Sequence, residues 1–156
     1  MSSREKARQE ESKELKIRRA KITDAPRLAE LAGQLGYPTT VEQVRRRFRA
    51  IQLASQNAVF VADSAGAGVV GWVHVSKEPL LESDVRAEVN GLVVAEAQRS
   101  LGAGALLLAA AEEWARKHGC KGVNLRSNVI RERAHQFYLR EGYEHYKTQK
   151  AFRKVF

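Results

Sequence analysis

The stretch that decides the fold reads VNGLVV at residues 89–94 and, four residues later, RSLGAG at residues 99–104. The first part is an apolar run typical of a buried strand, and the second leads into an Ala/Leu-rich segment with helical spacing. Glycines between a strand and a helix let a ligand approach backbone N–H groups. The first turn of the helix adds unpaired N–H donors and a partial positive charge. The sequence therefore predicts a phosphate or pyrophosphate site at residues 99–104.

A second glycine-rich stretch, GAGVVG at residues 66–71, has the G-x-G-x-x-G spacing of dinucleotide-binding loops. In those loops a helix begins within the glycines, so that its N-terminus faces the pyrophosphate. Here WVHV at residues 72–75 continues as a β-rich run. We therefore interpret residues 66–71 as a hairpin turn and not as a nucleotide site.

The composition is that of a globular domain of ordinary size. The chain has 156 residues, of which 44% are hydrophobic, and this length predicts one domain. No apolar run is long enough to span a membrane, and no signal-peptide core follows Met1. The single cysteine, Cys120, excludes an internal disulfide. We therefore expect a cytoplasmic protein without a membrane partner.

The formal net charge of +9 raises the question of an anionic partner. The basic residues are scattered along the chain, and no basic stripe interleaved with aromatic residues is present. The four histidines and Cys120 are likewise too scattered for a zinc site. We expect neither a nucleic-acid partner nor a metal.

The remaining pattern predicts an α/β (α+β) layer fold. Residues 1–14 are polar and charged and are interpreted as a flexible tail or a frayed helix. From Leu15 onward the predicted order is β-α-α-β-β-β-α-β-α-β-β. The helices include 102–118 and 131–140, and the last two strands, or one bent strand, begin at Tyr143.

A third cluster lies near the C-terminus. It consists of Asn128, the run AHQFY at residues 134–138 and the run EGY at residues 141–143. Small and aromatic residues at helical spacing are also what ordinary core packing uses, although a tyrosine hydroxyl needs a partner. By composition alone, core packing is favoured over chemistry.

Together these segments resemble the GNAT superfamily of acetyl-CoA-dependent N-acetyltransferases, small single-domain bacterial type. The resemblance covers about Leu15 to Phe156, and residues 94–104 match the signature R/Q-x-x-G-x-G/A, except that Ser100 replaces the usual glycine after the arginine. The C-terminal cluster matches a second signature of this superfamily. The resemblance implies a flexible charged tail over 1–14 and an acetyltransferase domain over 15–156. It also implies a mixed central sheet of six to seven strands flanked by about four helices.

The resemblance further implies acetyl-CoA as co-substrate, without a metal. Its pyrophosphate would lie on the backbone of residues 99–105, and its pantetheine arm would pair with the strand at residues 92–94. The residues assigned to the cofactor are Leu92, Val93, Val94, Arg99, Ser100, Leu101, Gly102, Ala103, Gly104, Ala105, Asn128, Arg133, Ala134 and Phe137.

The activity implied is transfer of acetyl to the primary amine of a small molecule, by direct attack in a ternary complex. Tyr138 matches the position that protonates the departing thiolate. Glu88 lies where some members place the general base, and a solvated strand residue is the alternative; a water chain can also serve as base. Tyr37 and Glu88 would contact the acceptor, and the arginines at 45–47 favour an acceptor with a carboxylate or phosphate.

Two other interpretations remain open at the level of sequence. One is an acyl-CoA sensor without turnover, and the other is a basic nucleic-acid-binding α/β domain. Because members of the superfamily often dimerise, a homodimer is among the oligomeric states that the resemblance allows.

Overall fold

The computed structural model describes residues 1–99 and 101–156, and within them the chain forms two compact units, Met1–Arg126 and Ser127–Phe156. The α-helices are α1 Ser3–Lys13, α2 Ala25–Leu35, α3 Val41–Leu53, α4 Ala103–Lys117 and α5 Glu132–Arg140. The strands are β1 Leu15–Arg19, β2 Asn57–Ser64, β3 Gly68–Lys77, β4 Ala87–Val94 and β5 Val123–Leu125. This is the predicted mixed α/β fold, with α5 in the second unit and all five strands in the first.

The sheet has the order β1-β2-β3-β4-β5. β1, β2, β3 and β4 pair antiparallel in succession, and β5 pairs parallel to β4. The parallel pair is joined by α4, as a parallel connection requires a crossover. The predicted hairpin is confirmed, because the turn after Ser64 returns the chain directly into β3 at Gly68.

Local sequence signals explain where the first helices begin and end. α2 has Pro26 in its first turn and ends at Gly36, which adopts a φ of 100°. α3 begins after Thr40, whose side chain accepts a hydrogen bond from the backbone of Gln43 in a capping box. The carboxylate of Asp24 does not cap α2; it accepts hydrogen bonds from Arg18 instead.

The two faces of the sheet are covered by different helices. Residues of α2 and α3 pack with Val61, Trp72 and Val93 on one face, which we call the α2/α3 face. On the other face, the Cδ1 of Leu107 in α4 lies 3.0 Å from the position a Cβ would take at Gly71. Because side chains alternate along a strand, this pair of contacts assigns the positions of β3 from Gly71 onward to one face or the other. Before Gly71 the alternation is broken by a register shift, and Val69 packs on the α2/α3 face.

The expectation of six to seven strands is wrong, because the sheet has five. The missing strands are those predicted after Tyr143: residues 143–156 carry no strand, and residues 144–156 are all exposed. A strand needs a hydrogen-bonded neighbour and a buried face, and alternation of apolar and polar residues alone supplies neither. Lysines and arginines between the apolar residues of this segment keep it hydrated.

At the N-terminus, residues Ser3–Lys13 form a helix, which agrees with the second of the two alternatives for this segment. Its described side chains are exposed, so tertiary packing does not stabilise this helix. The prediction that residues 1–14 form a flexible tail stays a prediction.

Candidate acetyl-transfer site

A β-bulge interrupts β4 at Asn90. His74 of β3 pairs with Gly91, but the next residue, Val75, pairs with Val89, so that Asn90 is an extra residue on β4. A bulge of this kind bends the strand and increases its twist. The side chain of Asn90 is exposed, and its Nδ2 donates to the Oγ of Ser76 at 2.7 Å.

The bulge coincides with the end of the pairing between β4 and β5. β5 pairs with β4 only as far as Val89, opposite Leu125. Beyond this point, no strand in the described part of the chain pairs with Gly91–Val94 on the side away from β3. We call this side of Gly91–Val94 the open edge of β4.

The register shows which backbone groups the open edge presents. The N–H of Ala95 donates to the carbonyl of Val70 at 2.7 Å, so Ala95 directs its polar groups toward β3. Alternate residues of an antiparallel pair point the same way, and Val93 therefore also directs its N–H and C=O toward β3. Residues 92–94 were expected to pair with the cofactor arm. Of these three, Leu92 and Val94 are the ones whose backbone groups face the open edge.

The chain leaves β4 through a 3-10 turn at Glu96–Gln98 and enters α4. Gly102 precedes α4 with a φ of 84°, and the position of its missing Cβ faces open space. The first N–H of α4 with a helical partner is that of Leu106, which donates to the carbonyl of Gly102 at 3.1 Å. No acidic residue lies in the first turn of α4.

The N–H groups of Ala103, Gly104 and Ala105 thus belong to the first turn, where a helix offers no intrahelical acceptor. Arg99 is exposed beside them, Leu101 is half-buried, and Ala103 is buried. The predicted cofactor residue Ser100 lies outside the described residues. Open backbone donors, a helix N-terminus and an exposed arginine together suit a pyrophosphate, so the residues present fit the implied co-substrate.

A polar cluster occupies the α2/α3 face next to the bulge; we call it the bulge patch. Its members are Asn57, His74, Ser76, Glu88, Asn90 and Arg126. Where Val61, Trp72 and Val93 make the same face apolar, α2 and α3 cover it. The patch is therefore the point at which this face of the sheet changes from core to polar surface.

Glu88, predicted as base and acceptor contact, lies in this patch. It pairs with Ser76 of β3 and with Asn124 of β5, which places it on the α2/α3 face. Its side chain is 33% exposed, and its Oε1 lies 3.6 Å from the Nε of Arg126, whose side chain is 87% exposed. A carboxylate in this position can accept a proton from a bound amine.

His74 was missed by the sequence analysis, which weighed histidines only as zinc ligands. It is half-buried, and its Nε2 lies 2.9 Å from the Oδ1 of Asn57. Burial lowers the pKa of this imidazole from its ordinary value of 6.5, which keeps it neutral at pH 7. A signal was present: His74 and Ser76 are polar positions at period two within an otherwise apolar strand.

In the second unit, Asn128 begins the turn that precedes α5. Its Oδ1 accepts from the N–H of Ile130 at 3.1 Å, and its carbonyl accepts from Arg131, with the Nε2 of His135 at 2.9 Å from the same oxygen. No described residue is shown to accept from the side-chain Nδ2 of Asn128, so this group can donate to a ligand. His135 is half-buried and contacts this turn through its bond with the carbonyl of Asn128.

Tyr138 lies on α5 in a group of aromatic rings. Its ring centroid is 5.3 Å from that of Phe137 and 6.1 Å from that of Tyr143. Burial raises the pKa of the Tyr138 hydroxyl above its ordinary value of 10.0, partly offset by the positive charge of Arg131. The phenol is therefore fully protonated at neutral pH and able to give a proton.

The other predicted residues of α5 differ in exposure. Arg133 is exposed, whereas Ala134 and Phe137 are half-buried on the side of the helix that carries Tyr138. The helical spacing of Ala134, Phe137 and Tyr138 therefore places all three on one partly buried side of α5.

Tyr37 follows the end of α2 and is 71% exposed. The loop between α2 and α3 is held by Arg47, whose Nη1 donates to the Oγ1 of Thr39 at 2.9 Å. Arg45 is paired with Glu42 on the same helix. Two of the three arginines at 45–47, which were expected to favour an anionic acceptor, thus have protein partners.

Other kinds of site find no support among the described residues. No group of three or more His, Cys, Asp or Glu side chains in the described residues is placed to hold a metal ion. None of the described helices has the length and hydropathy needed to cross a membrane.

A protein-family model described as Acetyltransferase (GNAT) family matches residues 25–143. The match covers the sheet from β2 onward, both glycine-rich turns and α5. The chain therefore belongs to the GNAT acetyltransferase family, as its two sequence signatures indicate.

Among individual proteins, the chain is similar to an aminoalkylphosphonate N-acetyltransferase of Salmonella typhimurium, with 46% identity over 66 residues. These residues are 41% of this chain and 43% of that protein, so the match spans less than half of the curated relative.

Two solved structures share the fold over nearly the whole chain. The aminoglycoside N-acetyltransferase AAC(6')-Iy in complex with CoA superimposes with a TM-score of 0.80 at 20% identity, covering 90% of this chain and 94% of that one. A transcriptional regulator from Bacillus halodurans gives a TM-score of 0.80 at 25% identity, covering 90% and 99%.

Proposed function

We propose that this protein transfers the acetyl group of acetyl-CoA to the primary amine of a small molecule that also carries an anionic group. The observation that carries the proposal is the continuity of the open edge of β4 with the first turn of α4. Among the described residues, an unpaired strand edge is followed, after the 3-10 turn, by a helix N-terminus whose first N–H groups have no intrahelical acceptor. An extended chain ending in a pyrophosphate can use both at once.

Acetyl-CoA supplies the activated acetyl thioester. The backbone of Leu92 and Val94 pairs with its extended arm, and the N–H groups of Ala103–Ala105, with Arg99, bind its pyrophosphate. One of the two N–H groups on the open edge, that of Leu92 or that of Val94, also stabilises the oxyanion that forms on the acetyl carbonyl.

Glu88 accepts the proton that the acceptor ammonium must lose, directly or through one water. The free amine then attacks the carbonyl, so that a C–N bond forms and the C–S bond breaks, and the proton that the nitrogen loses as the amide forms restores the phenol of Tyr138. Tyr138 gives its proton to the departing thiolate; the raised pKa of the phenol ensures that this proton is present at neutral pH. No covalent bond to the protein is needed.

The preference for an anionic acceptor rests on charge and on one relative. The chain carries a net charge of +9, with 27 Lys and Arg against 18 Asp and Glu. The relative with the matching 66 residues acts on aminoalkylphosphonates. A polycationic acceptor would meet repulsion from such a surface.

The first test is ligand binding followed by thermal unfolding, with acetyl-CoA against desulfo-CoA and ATP. A ligand that binds only the folded state raises the melting temperature by mass action. A rise with acetyl-CoA and with desulfo-CoA, but not with ATP, supports the proposal. No shift at millimolar acetyl-CoA contradicts it.

The second test is turnover of 2-aminoethylphosphonate, β-alanine, propylamine and an aminoglycoside, measured by release of the CoA thiol. Tyr138→Phe should reduce kcat by about 100-fold and leave the KM for acetyl-CoA unchanged, because it removes only the proton donor. Binding of acetyl-CoA with no turnover of any amine would favour an acyl-CoA sensor instead.

A further inference from the structure

Glu88 and Arg126 form a pair of opposite charges on the polar part of the α2/α3 face. Each is the only oppositely charged partner found for the other among the described residues. The Nε–Oε1 distance of 3.6 Å is longer than that of a charge-assisted hydrogen bond. Because the Arg126 side chain is 87% exposed, water screens this attraction, and exchanging it for new partners costs little.

Two of the arginines at 45–47 are less available to bind an anionic ligand, because they already have protein partners. Arg47 is bonded to Thr39, and Arg45 is paired with Glu42 on its own helix. Arg126 instead follows the last residue of β5, beside the bulge and the open edge of β4.

We propose that Glu88 and Arg126 select acceptors in which the amine and an anionic group are one or two carbons apart. The ligand's ammonium binds the Glu88 carboxylate beside Arg126, and its phosphonate, phosphate or carboxylate binds the Arg126 guanidinium, so that the two protein side chains keep their present separation. Arg126 is then the residue that determines specificity, while Glu88 keeps its role toward the amine. This inference rests on the proposed acetyltransferase function.

The spacing follows from the geometry of the pair. With ordinary bond lengths, an ammonium nitrogen and an anionic oxygen separated by one or two carbons lie about 3–5 Å apart. This range includes the 3.6 Å between the protein's own charges. With five carbons, an extended ligand places its charges on the order of 8 Å apart, and it reaches one partner only.

The test compares kcat/KM for aminomethylphosphonate, 2-aminoethylphosphonate, 5-aminopentylphosphonate, glycine, β-alanine and propylamine. The variants are Arg126→Gln, Arg126→Lys and, as a control, Arg116→Gln. Arg116 is an exposed arginine on α4 with a similarly loose partner, since its Nη1 lies 3.8 Å from Glu113. Comparing phosphonates with carboxylates identifies which anion the guanidinium prefers.

We expect the wild type to prefer the short zwitterions over propylamine and over 5-aminopentylphosphonate by at least about tenfold. Arg126→Gln should abolish this preference by raising KM for the short zwitterions far more than it changes KM for propylamine. Arg126→Lys should restore part of it, and Arg116→Gln should have no effect. An unchanged preference in Arg126→Gln, or the same loss in Arg47→Gln, would overturn the inference.

Calorimetric binding of 2-aminoethylphosphonate in the presence of desulfo-CoA gives a readout that does not need turnover. Weaker binding to Arg126→Gln than to the wild type supports the inference even if no amine is acetylated, in which case only the proposed activity fails. Equal binding to both, or no binding to the wild type, overturns the inference and leaves acetyl-CoA-dependent activity to be judged separately.

Discussion

Two glycine-rich turns in this molecule have similar composition and different surroundings. Gly68, in the turn before β3, and Gly102, before α4, both have positive φ values, of 70° and 84°, and both face open space. The first turn continues into a strand whose backbone groups pair with β2 and β4. The second continues into a helix of 15 residues whose first N–H groups have no helical acceptor. The comparison shows that the element after the glycine, and not the glycine itself, decides whether the turn is followed by backbone N–H groups that an anion could use.

The largest expected effect comes from placing the same charge at both turns. Gly102→Asp should weaken acetyl-CoA binding by at least about tenfold, because its carboxylate opposes the pyrophosphate at the helix N-terminus. Gly68→Asp should leave the Kd unchanged within about twofold. Isothermal titration calorimetry measures both.

The two aspartates meet similar backbone strain, since each replaces a glycine in the left-handed region, so loss of stability alone cannot separate them. Equal weakening of acetyl-CoA binding by both substitutions would contradict the distinction between the two turns.

The next effect compares two glycines of the stretch GAGVVG at residues 66–71: Gly66 in the turn and Gly71 in β3. A Cβ at Gly71 would lie 2.7 Å from the carbonyl oxygen of Val93, which is backbone and cannot move freely. Gly71→Ala should therefore destabilise the protein by about 1–3 kcal/mol, as overpacking does. Gly66→Ala, where a Cβ meets nothing within 4 Å, should change the free energy of unfolding by less than about 0.5 kcal/mol.

Urea denaturation of the two variants checks this. A similar cost at both positions would mean that the last glycine of GAGVVG serves the turn; the structure instead assigns it to close packing between β3, β4 and α4.

A smaller effect concerns the ion pairs of Arg18 with Asp24 and with Asp63, the latter on β2 just before the first turn. Arg18 lies 2.9 Å from Asp24 and 3.0 Å from Asp63, which is near the end of β2. Hydrogen bonds from Arg18 lower the pKa of Asp24 below its ordinary value of 3.8. A lowered carboxyl pKa stabilises the fold above about pH 4, and the gain is lost as the pH falls through the folded-state pKa.

Asp24→Asn should therefore lower the free energy of unfolding by about 1–2 kcal/mol at pH 7, with the difference from wild type shrinking below pH 3.8. Thermal unfolding from pH 7 to pH 3 measures this, and acetyl-CoA affinity at pH 7 should stay as in the wild type. A constant difference down to pH 3 would show that the ion pairs are not its cause.

The smallest effect comes from His74 on β3. Its pKa is lowered by burial, so the unfolded chain binds a proton more readily as the pH falls through 6.5. The wild type should lose stability between pH 7 and pH 5 through this group, and His74→Gln should have a flatter dependence of Tm on pH in that window. Parallel curves for the two proteins would contradict a neutral, buried imidazole.

The elements and both turns could be predicted from the sequence because their signals are local. A helix end or start is marked by the residue at that position: α2 ends at Gly36, α3 begins after Thr40, and α4 begins after Gly102. The side of β4 that stays open could not be predicted, because it depends on how far β5 runs beside β4. The strands expected after Tyr143 failed for the same reason: a strand is a property of a pair.

The bulge patch shows the same limit at the candidate site. Glu88 was predicted as a base from the family resemblance, but Arg126, His74 and Asn57 join it only through strand register. Which face Glu88 occupies depends on one extra residue in the middle of β4, and no local signal reports it.

That extra residue, Asn90, also sets a compromise between stability and function. A continuous ladder from β3 through β4 to β5 would pair more backbone and leave no edge exposed. In the described part of the chain the β4–β5 pairing instead ends at the bulge at Asn90, and the edge of Gly91–Val94 stays unpaired. Under the proposed function, a chain without Asn90 would gain a more regular sheet and lose the unpaired edge that an extended thioester needs.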